Sequence, residues 1–158
     1  ESNMGLPIVC AASLSKDIMN RLLIDSDINE EETWDFVFVD NINHCYDQPS
    51  AVPVKTHSNP ESPFVSKTPY ECSQLLLKLR EDTKSNIIPH YFMIMDQRSL
   101  QDDTVLLVTA GIDEPVYTVR ASFGASAQAI VLYPTGHRGI EEDVESAAQE
   151  EDEVYHGR

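Results

Sequence analysis

Ile87-Ile88-Pro89-His90-Tyr91-Phe92-Met93-Ile94-Met95 is apolar except at Pro89 and His90, and Asp96 closes it. A run of this length without polar alternation fits a strand buried on both faces of a sheet better than a free-standing helix. Residues 104–109 repeat the pattern after a polar connection over residues 97–103. Gly111, Asp113 and Glu114 then make a turn, and Val116, Thr118 and Arg120 alternate with Tyr117, Val119 and Ala121 as an antiparallel strand requires. These last two segments therefore read as a hairpin.

Upstream, Thr68-Pro69-Tyr70-Glu71 places a hydroxyl at N-cap, Pro at N1 and Glu at N3, a capping box that starts a helix. Leu75, Leu76 and Leu79 carry its apolar stripe to about Asp82. Residues 7–12 and 21–24 are short apolar runs, and both read as buried strands. The segments around residues 22, 92 and 106 are thus expected side by side as interior strands, with their acidic ends on a shared rim.

Residues 29–39 open with Glu30, Glu31 and Glu32, which favour a helix N-terminus, although residues 36–39, Phe-Val-Phe-Val, are β-prone. Residues 41–67 hold Pro49, Pro53, Pro60 and Pro63 without any period, the pattern of a long loop. Residues 122–133, rich in Ala and Ser, suit helix or strand. After Pro134, Gly136 and Gly139, residues 140–149 read as an acidic helix and residues 150–158 as an acidic tail that frays. Residues 1–3, ahead of Met4, read as an appended remnant, which leaves residues 4–149 as one domain.

The expected fold class is α/β (or α+β): one domain of two or three layers, with a central mixed sheet of about 4–6 strands flanked by helices. A chain of 158 residues can bury about two-thirds of its unfolded surface in a single core. Its formal net charge of -16 repels phosphate backbones and anionic lipid surfaces, which argues against nucleic acid and membrane as partners. The acid concentrates at residues 25–32 and 141–153, where it either solubilises the surface or docks a basic partner. Cys10, Cys45 and Cys72 are odd in number and widely spaced, which fits a reduced, cytoplasmic setting better than a disulfide framework.

The order of these segments is familiar. Residues 22–27 before an acidic stretch and Trp34, then residues 70–77, then residues 92–96 with Ser99 and Leu100, then residues 106–108 and 117–120, together resemble a family of small microbial α/β domains of unknown function. The resemblance runs from about Leu22 to the C-terminus and implies the fold but no activity. Residues 41–67 and 129–139 depart from the family pattern, in which the first connection is shorter and the second segment is Asn-rich.

Several residues are candidates for chemistry. Asp25 and Asp27, after an expected strand, suit Mg²⁺ binding or divided acid and base roles, but N-terminal capping by Asp27 or Asn29 is the favoured reading of the pair. Asp96 can join them, and Arg120 can hold an anion. His90 interrupts an apolar strand, so it is either a hydrogen-bonded core residue or faces a pocket. Tyr133 and His137 sit near small-residue turns and, with Arg120, can rim a pocket. His44, Cys45 and Cys72 invite a zinc or thiol reading, but no Cys-x-x-Cys or His-Glu-x-x-His spacing supports it, and adjacent His44 and Cys45 in an extended chain point apart. No glycine-rich phosphate loop or nucleophile elbow occurs.

Neither a cofactor nor a metal is therefore expected. The leading expectation is a non-catalytic binding module that engages a basic protein partner or a small-molecule ligand. The alternative is a cofactor-independent isomerase, cyclase or lyase working through Asp, His, Tyr and Arg acid–base groups. An enclosed, largely apolar pocket with convergent polar groups would favour the enzyme, and a shallow charged face would favour the binding module.

Overall fold

A computed structural model describes residues 5–26, 36–47, 62–136 and 139–157. Asp27, Trp34, His57 and His137 lie outside the described residues, as does most of the long loop. The elements run β1 (Leu6–Cys10), α1 (Lys16–Asp25), β2 (Phe36–Phe38), α2 (Pro69–Thr83), β3 (Tyr91–Met95), α3 (Gln97–Asp102), β4 (Thr104–Thr109), β5 (Tyr117–Ser122), α4 (Phe123–Leu132) and α5 (Ile140–Ala148). No helix among the described residues is long and apolar enough to cross a membrane.

The protein is an α/β domain built on one five-stranded mixed sheet in the order β2-β1-β3-β4-β5. β2, β1 and β3 are parallel; β4 runs antiparallel to β3, and β5 antiparallel to β4. Alternation along each strand divides the core in two. Leu6, Ile8, Met93, Met95, Val105, Leu107, Val119 and Ala121 face α1, α4 and α5. Val9, Val37, Phe92, Ile94 and Val108 face Cys72, Leu76 and Leu79 of α2. Both sheet faces are covered, which is why β3 itself, Tyr91–Met95, has no polar alternate, while Pro89 and His90 precede the strand.

Residues 21–24 are not a strand. They form the last turns of α1, in which Ile18 and Met19 recur four positions later as Leu22 and Leu23, all buried. A four-residue apolar window cannot separate strand from helix, whereas the four-residue repeat over ten residues can. The third interior strand is β1, paired with β3 as Ile8↔Met93 and Cys10↔Met95. The β-prone Phe36–Phe38 forms the edge strand β2.

The capping box at α2 is complete: Glu71 N donates to Thr68 Oγ1 at 3.1 Å, and Thr68 N donates to Glu71 Oε1 at 2.9 Å. Within the described residues after α5, the chain packs back against β5. Val154 and Tyr155 are buried, Tyr155 N donates to Arg120 O at 2.7 Å and Ser122 N donates to Tyr155 O at 2.9 Å. Two apolar side chains among acids are enough to pin this segment along the outer edge of β5.

Candidate functional site

Asp25 ends a helix rather than a strand and is exposed, so it does not stand at a strand end. Asp96 does lie at a strand end, where it N-caps α3: Ser99 N donates to Asp96 Oδ1 at 3.3 Å and Asp96 N donates to Ser99 Oγ at 3.0 Å. Arg120 reaches it from β5 across β4, with Nη1 to Oδ1 at 2.9 Å and Nη2 to Oδ2 at 2.7 Å. Burial pushes the Asp96 carboxyl up, but the hydrogen bonds and charge of Arg120, with those of Ser99, outweigh it and hold the group below its ordinary value. Two residues read as acid and anion receptor are thus each other's partners.

Tyr133 lines a cleft, but it does not share that rim with Arg120. Val119 and Ala121 point to the α4–α5 face where Tyr133 is buried, so the intervening Arg120 points to the opposite face. The Tyr133 hydroxyl donates to Oδ2 of Asp143, which is fully buried on α5. This contact ties the end of α4 to α5.

His90 meets both expectations in part. Its Nδ1 donates to Ala110 O at 2.9 Å, and Ala110 N donates to His90 O at the same distance; its ring also lines a cleft. Burial, aided by Asp40, pushes the Cys10 thiol up to about 12, and burial with Glu71 takes Cys72 to about 12 as well, which disfavours the thiolate at both. Cys45 is exposed, beside the edge-to-face pair of His44 and Tyr46, whose ring centroids are 4.6 Å apart.

Two clefts open at the end of the sheet where β4 leaves and β5 enters. The larger, about 320 Å³, lies on the α2 side and includes Tyr70, Gln74, His90, Asp113 and Glu114. The smaller, about 160 Å³, lies on the α5 side and includes Tyr91, Thr109, Glu114, Pro115, Tyr117 and Glu141. Gly111 and Glu114 of the turn border both. Strand register builds the smaller one: Tyr91 pairs with Thr109, and Thr109 with Tyr117, giving a cross-strand row with an aromatic ring at each end.

Glu114, Glu141, Tyr91 and Tyr117 are absent from the sequence-derived candidates. The register of the hairpin was the available signal for Tyr117, since it places that ring on the same face as Val119 and Ala121. No local pattern marks the two glutamates.

No protein-family model matches the chain, and no curated protein matches it. Among solved structures, protein VC0702 from Vibrio cholerae aligns over 90% of this chain and 78% of its own, at 10% identity and a TM-score of 0.21. A likeness that slight carries no argument about fold or function.

Proposed function

We propose that this domain is a non-catalytic binding module whose acidic face engages a basic protein partner. One observation carries the reading: the polar groups best placed for catalysis are occupied with one another, while Glu141, Glu142, Glu145, Glu150, Glu151 and Glu153 are exposed. No Lys or Arg occurs from residue 139 to residue 157 to neutralise them. The clefts are open and border carboxylates rather than enclosing an apolar chamber, which further supports recognition over turnover. A reduced, cytoplasmic setting belongs to the same proposal, as does membership of the small microbial α/β family, to which the mixed sheet is compatible support.

The test is equilibrium binding of a fluorescent oligolysine peptide, and of the same peptide with its amines acetylated, across a salt series. The native peptide should bind and weaken steadily as salt shortens the screening length from about 10 Å at 0.1 M. Absent binding, or binding indifferent to salt and acetylation, would remove the proposal.

A second reading, a cofactor-independent isomerase, cyclase or lyase, is favoured by a single feature, the His90 ring on the wall of the larger cleft beside Asp113 and Glu114. Any turnover found at that cleft should be abolished in His90→Ala; turnover that survives this change would exclude His90 as its acid or base.

A further inference from the structure

We infer that the smaller cleft is a receptor for one basic side chain, a lysine or arginine presented by the partner; this rests on the acidic-face reading above. Its floor is the Tyr91–Thr109–Tyr117 row, and Pro115 continues the wall. Aromatic faces of this kind attract ammonium and guanidinium groups. Glu114 from the turn and Glu141 from the first turn of α5 add two carboxylates.

Both glutamates fold back over a glycine. A Cβ added at Gly111 would stand 2.5 Å from Glu114 Oε1, and one added at Gly139 would stand 2.7 Å from Glu141 Oε1. Any larger residue at either position displaces the carboxylate, so the two bare backbones are what allow these oxygens to lie where they do. Neither glutamate makes a side-chain hydrogen bond or ion pair among the described residues. The exposed N–H at the start of α5 does not need Glu141, because Glu142 Oε2 accepts from Gly139 N at 3.1 Å.

Size and charge select the occupant. A volume of about 160 Å³ is below the range of about 300–1,000 Å³ usual for small-molecule sites. Two carboxylates exclude phosphate and carboxylate ligands, and neutral apolar side chains would strand them without water.

The experiment measures oligolysine affinity for the whole chain in four forms: native, Glu114→Gln with Glu141→Gln, Glu145→Gln with Glu151→Gln, and Gly111→Ala with Gly139→Ala. The first pair of substitutions and the second remove the same charge, while the alanine pair leaves charge unaltered and moves the carboxylates. Thermal melts confirm that each is folded. The cleft glutamine pair and the alanine pair should each weaken binding about tenfold, against less than about twofold for the outer pair. Equal losses in the two glutamine pairs with native-like binding by the alanine pair would overturn the cleft and leave the acidic-face reading standing. No binding by the native chain would overturn both.

Discussion

The two ends of the sheet use their polar groups in opposite ways. Where β1 and β3 finish, Asp96 is held by Arg120 and by its own helix, and Asp40 accepts from the Tyr46 hydroxyl at 2.8 Å. Where β4 finishes and β5 begins, Glu114 and Glu141 border open clefts and have no such partners among the described residues. Open α/β sheets commonly bind ligands beyond the carboxyl ends of their parallel strands. Here the groups at that end act as fasteners, and the free charge sits at the other end. Ionisable residues at a strand terminus are therefore no guide to function until their partners are known.

Breaking a fastener should give the largest effect. Arg120→Met leaves Asp96 half-buried and without its cation, and should cost about 3 kcal/mol in denaturant unfolding, with oligolysine affinity unchanged. A matching loss of affinity would mean that the two ends are coupled.

Tyr133→Phe removes the donor to the fully buried Asp143 and should cost about 2 kcal/mol, read by the same unfolding transition. A change smaller than about 0.5 kcal/mol would show that the α4–α5 tie does not depend on that hydroxyl.

The pH dependence sharpens the contrast further. The Asp96 carboxyl is lowered in the folded state, so its contribution is complete above the ordinary aspartate value near 3.9 and is lost as pH falls below that through the folded value. Unfolding followed through this acid window should flatten in Arg120→Met relative to the native chain. Parallel pH profiles would place the acid sensitivity elsewhere.

The smallest effect on stability belongs to the cleft. Glu114→Gln with Glu141→Gln should move the unfolding free energy by no more than about 0.5 kcal/mol, since both side chains are exposed. A large loss would make them structural residues rather than docking residues.

Local signals explain which elements were legible. The α2 capping box needs only Thr68, Pro69 and Glu71, and the β4–β5 hairpin needs only a turn between alternating strands. Both occur as the residues imply. Residues 21–24 look like a strand in isolation, and only Ile18 and Met19, outside the apolar run, reveal the helical repeat. Asp96, Arg120, Tyr133 and His90 stand out in the sequence as polar residues among apolar runs or small-residue turns, and in the fold each has a hydrogen-bond partner. Which of them meet depends on how β3, β4 and β5 lie against one another and on how α4 packs against α5, and no short stretch of sequence carries that. Glu114 and Glu141 were missed for a related reason, because their placement is decided by glycines whose role emerges only when the chain is folded.

The pinning of Tyr155 against β5 has a consequence for solubility as well as shape. Its main-chain bonds to Arg120 and Ser122 occupy part of the flank that β5 would otherwise present to a neighbouring molecule. Shortening the protein to end at Gln149 would bare this flank and remove four acidic residues at once, Glu150, Glu151, Asp152 and Glu153. The stub would lose its edge guard and part of its electrostatic repulsion together, which should make it self-associate through strand addition.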